Sequence, residues 1–111
     1  MKLFLEEYQS IMNNFRTFDS AVNFYQSILK LKLTGTIRDQ LHRAALSIPL
    51  NLAEGRGRQT KADQKRFFTI ALSSARECQA ILLIAGLQES THWDLLDKTS
   101  AQIYKLIKFA G

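Results

Sequence analysis

Residues 54 to 61, Glu-Gly-Arg-Gly-Arg-Gln-Thr-Lys, are the stretch of this sequence most like a phosphate-binding loop. A P-loop closes on Gly-Lys-Ser/Thr, and the dinucleotide fingerprint needs three glycines directly after a strand. This stretch has two glycines, follows an apolar run of helical spacing and lacks the Lys-Ser/Thr pair. It fails both tests. Metal chemistry offers a second set of candidates, because helical di-iron centres place Glu-x-x-His on two helices and add two inward glutamates. Asp39 with His42, and Glu89 with His92, have a similar spacing. Asp39 and His42 fall off the face set by Leu41 and Ala45, and Glu89 and His92 straddle a turn. With no further inward carboxylates, both histidines read as solvated surface groups. Cys78 sits mid-helix among Ala75, Ile81 and Leu82, as a small buried hydrophobe does. Ser73 and Ser74 have no recognisable base partner. No catalytic residue, metal ligand or cofactor site is assigned, and the chain is expected not to be an enzyme.

The elements that must position these residues are helices. One proline and five glycines in 111 residues leave few breaks, and the apolar residues recur at steps of three and four. A first segment, residues 3 to 33, carries Leu5, Tyr8, Met12, Phe15, Phe18, Val22, Tyr25 and Ile28, with a break left open at Asn13, Asn14 and Asp19. Gly35 suits a left-handed cap, and Thr36 can start the next helix. A second segment, residues 37 to 54, sets Leu41, Ala45, Ile48 and Leu52 on one face. A third opens at Thr60, with Asp63 in its first turn, and points Phe67, Ala71, Ser74 and Cys78 inward before ending near Leu87. A fourth opens at Ser90 or Thr91 and carries Trp93, Leu96, Ile103, Leu106 and Ile107. Short connections between four helices predict one all-α domain over residues 1 to 111, an antiparallel up-down four-helix bundle. Pro49, inside the second helix, predicts a kink there.

The net charge is +5. Residues 1 to 35 and 67 to 111 are nearly balanced, so the excess lies with Arg56, Arg58, Lys61, Lys65 and Arg66. Such clustering is the footprint of an anionic partner; a solvated loop between helices is the alternative. The lone cysteine fits a reducing compartment. No secretory signal is evident and no apolar segment approaches the roughly 20 residues of a membrane span. A cytoplasmic protein without membrane contact is expected.

Two segments carry more apolar surface than one stripe. Leu46, Leu50 and Ala53 are rotated away from the core face of the second helix, and the third adds Phe68, Ile70, Leu72, Leu83, Ile84 and Leu87. Self-association would cover this surface; a wide core stripe with some exposed leucines is the alternative. Gln40, Arg43, Ser47, Asn51 and Glu54 also share a face beside Pro49. There Ser47 or Asn51 can help satisfy the backbone that the proline opens. The face suggests either a subunit seam or an ordinary solvated stripe.

Residues 40 to 77, QLHRAALSIPLNLAEGRGRQTKADQKRFFTIALSSARE, closely resemble the four-helix bundle family of proteins encoded in the intervening sequences of bacterial 23S ribosomal RNA genes. The resemblance is carried by Gln40, Leu41, Arg43, Ala44, Ala45, Ser47, Ile48, Pro49, Asn51, Leu52, Ala53, Glu54 and Gly55, then Arg66, Phe67, Ile70 and Ala71. His42 stands where the family usually has Arg, and the connection LTGTIRD is shorter than the family's usual acidic, proline-containing loop. The resemblance implies a ring-like homopentamer, a genetic setting that points toward RNA, and no assigned activity. Related basic pentameric bundles are accessory subunits of diversity-generating retroelements that bind reverse transcriptase and nucleic acid. A homo-oligomeric accessory or scaffold protein binding RNA or a ribonucleoprotein, with Arg56, Arg58, Lys61, Lys65 and Arg66 as the nucleic-acid contacts, is therefore expected. Arg43, Leu46, Ser47, Pro49, Leu50, Asn51, Glu54 and Gly55 are expected at its oligomer interface or as its structural motif. The other reading is a protein-interaction adaptor docking a reverse transcriptase or another enzyme. With no aromatic residue interleaved in the basic run, little base readout is expected.

Overall fold

The computed structural model describes the backbone of residues 2–110 and the side chains of residues 5–109; Met1 and Gly111, included in the single-domain expectation, lie outside them. Five helices follow in order: α1 (Lys2–Met12), α2 (Arg16–Ile28), α3 (Gly35–Arg56), α4 (Lys61–Ile84) and α5 (Thr91–Ala110). No strand occurs among the described residues. Helices α2, α3, α4 and α5 form a closed circuit in which each packs on the next and α5 returns to α2, while α1, among the described residues, packs on α3.

The expected count of four is corrected to five because the first segment divides. Asn14 adopts φ +59, a left-handed conformation that asparagine tolerates better than most residues and that cannot continue a right-handed helix. Phe15, the next residue, is buried at the head of α2. The division leaves Leu5, Tyr8 and Ile11 of α1 exposed.

The core is one apolar cluster to which α2 gives Ala21, Phe24 and Ile28, and α3 gives Leu41, Ala45, Ile48 and Leu52. From α4 come Phe68, Ala71, Ala75, Cys78 and Leu82, and from α5 Leu96 and Ile103. Full burial of a large apolar side chain stabilises by about 1.5–3 kcal/mol, so this cluster fixes the relative placement of the four helices. On α4 the inward aromatic is Phe68, not Phe67, and Ala75 takes the place expected of Ser74, which is half-buried. Burial pushes the Cys78 thiol from its ordinary 9.0 up to about 12, with the neighbouring Glu77 carboxylate adding to the effect.

Local chemistry sets the helix ends. The Thr60 hydroxyl accepts from the amide of Asp63 at 3.1 Å and caps α4. Beyond α4, Gly86 at φ +77 lets Leu87 N donate to Leu82 O at 2.8 Å and its own N to Leu83 O at 3.1 Å, the paired bonds of a Schellman turn. Gly35 takes φ +65 at the head of α3. Pro49 lies buried inside α3 without interrupting it. Among the described residues, α4 is by length and composition apolar enough to cross a membrane, which corrects the expectation that no segment approaches this; here Phe68, Ala71, Ala75, Cys78 and Leu82 face the core.

Candidate nucleic-acid interface

The basic residues gather where α3 hands over to α4. Five cations stand against two carboxylates between Glu54 and Arg66, and the turn Gly57–Thr60 brings the end of one helix beside the start of the next. Arg58 Nη2 lies 3.0 Å from Glu54 Oε2, one helical turn back. Arg66 Nε lies 3.7 Å from Asp63 Oδ1. Both pairs are exposed, where such contacts are worth little and leave the guanidinium free to exchange partners. Lys61 and Lys65 are exposed and enter no ion pair among the described residues. Gln64 Nε2 donates to Arg58 O at 3.0 Å and holds the turn against α4.

Phe67 was not read as part of this cluster. The guanidinium carbon of Arg58 lies 4.6 Å from the centre of its ring, and that of Arg66 lies 4.4 Å away. Both are within cation–π range. The aromatic ring therefore spaces two cations. Its place directly after Arg66 was the available sequence signal, but Phe67 had been assigned to the core.

Arg56 does a different job. Its Nε donates to Ile11 O at 3.1 Å and its Nη2 to Asn13 O at 3.4 Å. Its guanidinium also stacks over Phe15 at 4.6 Å. Ile11 contributes one of the last carbonyls of α1, which have no partner within that helix. Arg56 thus caps α1 from the end of α3, and its charge is less free than those of Lys61 and Lys65.

The residues expected at an oligomer interface separate into several environments. Pro49 and Gly55 are buried within the chain. Ser47 Oγ lies 2.7 Å from Ser74 Oγ of α4, and Asn51 Nδ2 donates to the carbonyl and hydroxyl of Ser47 at 2.9 and 3.0 Å. Asn51 does not reach Ala45, whose carbonyl lost its helical partner to Pro49. Arg43 is exposed and donates to Gln40 at 3.1 Å; Glu54 is exposed on the Arg58 pair. Leu46 and Leu50 are exposed. Gly55 and Gly57 do not turn the chain through left-handed backbone: neither has positive φ, and Gly55 is needed for another reason, given below.

The histidines are not the solvated groups expected. Both are half-buried. His92 Nδ1 lies 2.9 Å from Ser27 Oγ and ties α5 to α2, while His42 Nε2 is buried with no partner among the described residues. Asp39 pairs with Arg38 at 3.0 Å. Among the described residues no three metal-ligating side chains come together.

Comparison with curated proteins and with solved structures yields no match. A family model, described as 23S rRNA-intervening sequence protein, matches residues 8–110. That span takes in α2 to α5, the Ser-Ile-Pro run and the basic turn, and the chain belongs to the family of 23S rRNA-intervening sequence proteins.

Proposed function

We propose that this protein is a non-enzymatic, cytoplasmic, homo-oligomeric accessory protein that binds RNA through the turn between α3 and α4. The observation carrying this reading is the exposed set Arg58, Lys61, Lys65 and Arg66 on adjacent turns of two helices, with two lysines outside any ion pair among the described residues. Phosphate contacts of this kind bind by releasing counterions and are tolerant of sequence. Membership of a family named for 23S rRNA intervening sequences makes RNA the first polyanion to test.

The outer apolar side chains support self-association. Leu46 and Leu50 on α3, and Leu83 and Ile84 on α4, are 41 to 75% exposed, more apolar surface than an isolated chain of this size comfortably leaves in water. An antiparallel up-down bundle bent at Pro49, closed into a ring that is pentameric as in the resembling family, would cover them and repeat the basic turn around the assembly. Such a ring would position RNA, or present it to a partner enzyme such as a reverse transcriptase.

The test compares wild type with an Arg58/Lys61/Lys65/Arg66→Ala variant for binding to structured RNA at fixed salt, alongside light scattering at micromolar protein. Binding lost in the variant at unchanged mass supports the reading. RNA binding absent from wild type overturns it and leaves the adaptor role; a monomer in light scattering overturns the assembly.

A further inference from the structure

We infer that the groove between α4 and the C-terminal half of α5 is a second nucleic-acid site, one that takes single-stranded RNA with its bases stacked on Tyr104 and Phe109. This rests on the RNA-binding reading above and names the form of RNA and a new contact surface.

Two open cavities of about 460 Å³ each lie along this groove. Lys105 and Phe109 line both, so the two adjoin. The first is bordered by Arg76 on α4 and by Lys105 and Lys108 on α5, against one carboxylate, Asp97. The second runs toward Phe68 and Arg56, at the basic turn. The groove therefore leads from Arg56 at the end of α3 along the outside of the molecule, with Arg56, Arg76, Lys105 and Lys108 beside it against the one carboxylate of Asp97.

The aromatic residues decide among polyanions. Tyr104 is 57% and Phe109 74% exposed, so both rings are open to a ligand in the groove. Tyr104 and Phe109 border the same cavity as Lys105 and Lys108, and the ammonium of Lys108 lies 5.8 Å from the Phe109 ring centre. Alternating rings and cations are how single-stranded nucleic acid is held: cations follow the phosphates and rings stack on bases. A duplex hides its base faces and offers the rings nothing. An acidic peptide would cover the rings only where its own apolar side chains happened to fall, whereas every nucleotide of a single strand carries both a phosphate and a stacking face.

The test is fluorescence anisotropy of the full chain with three labelled probes of about twelve nucleotides, a length within the usual site sizes: single-stranded RNA, the corresponding duplex, and an abasic strand. The proteins are wild type, Tyr104→Ala/Phe109→Ala, and the basic-turn variant; both rings are exposed, and unchanged helical circular dichroism confirms that the variant folds. The expected result is that wild type prefers the single strand to the abasic strand, and that loss of both rings weakens single-strand binding at least about tenfold, since each stacked base contributes roughly 1–3 kcal/mol, while abasic binding is unchanged. Equal binding of abasic and normal strands, or full binding by the ring variant, overturns the groove while leaving the basic turn's role intact. A lower oligomeric mass in the ring variant overturns it in favour of a second copy of the chain. No RNA binding by any protein overturns both readings together.

Discussion

A Cβ built on Gly55 would lie 2.6 Å from Cε1 and 2.8 Å from Cδ1 of the Phe68 ring. The α3 backbone and the first inward aromatic of α4 are thus in direct contact, and the last turn of α3 can meet α4 closely only without a side chain at position 55. Phe68 is itself packed against Phe15, ring centres 6.4 Å apart, so it has little room to give way. We expect Gly55→Ala to destabilise by about 1–2 kcal/mol, an overpacking cost reduced by alanine's better helix propensity. Gly57→Ala, whose Cβ would meet nothing closer than 3.8 Å, is the control and should be neutral or slightly stabilising. Thermal melts of the two variants check this.

The bond from Arg56 to the end of α1 gives a local prediction. Because α1 lies outside the circuit formed by α2 to α5, Arg56→Ala should leave the global midpoint nearly unchanged while loosening residues 2–12. Loss of an exposed charge-assisted bond of about 1 kcal/mol would raise amide exchange in α1 roughly fivefold. Arg58→Ala should not change it. Hydrogen exchange read by mass spectrometry separates the two.

The division at Asn14 shows what pattern alone conveys. Leu5, Tyr8, Met12 and Phe15 keep helical spacing across the break, so the periodicity runs on where the backbone does not. Two adjacent asparagines were the only local signal. The caps at Thr60 and Ser90 and the stripe Leu41, Ala45, Ile48 and Leu52 were legible because each depends on neighbours in sequence. The exchange of Phe67 for Phe68 was not: adjacent phenylalanines differ by about 100° around the helix, and only packing against Gly55 and Phe15 selects between them. The basic turn was visible as composition, but the division of labour between Arg56 and Lys61 depends on where α1 ends in space. The α5 groove is not legible in the sequence, because Tyr104, Lys105, Lys108 and Phe109 share a surface with Arg76 only once α5 packs beside α4.

Ser47 is a shared partner, close to Ser74 across the helix interface and bonded to Asn51 on its own helix. Ser47→Ala should strand both groups and cost about 1 kcal/mol or somewhat more. The cost should be less than additive with Ser74→Ala, because the second change removes one of the stranded hydroxyls. Urea midpoints of the three variants, at unchanged slope, measure it.

Cys78 makes stability depend on alkaline pH. Its thiol titrates at about 12 in the folded chain against an ordinary 9.0, so the unfolded chain loses this proton first. The stabilising contribution is complete below pH 9 and is lost as pH rises from 9 toward 12. Melting temperature should fall more steeply over pH 9 to 11 for wild type than for Cys78→Ala, and the native thiol should resist alkylation at pH 8 until the chain is unfolded.

The central claim, that the turn between α3 and α4 binds RNA through phosphate contacts, is tested most directly by the slope of log Kobs against log salt for wild type and a Lys61/Lys65→Ala variant. Each phosphate contact contributes roughly −0.7 to −0.9 to that slope. Phosphate contacts by the four exposed cations give a wild-type slope of about −2 or steeper, flattened by at least about 1.4 when the two lysines are removed. A slope near zero, or one that the substitutions leave unchanged, would contradict it.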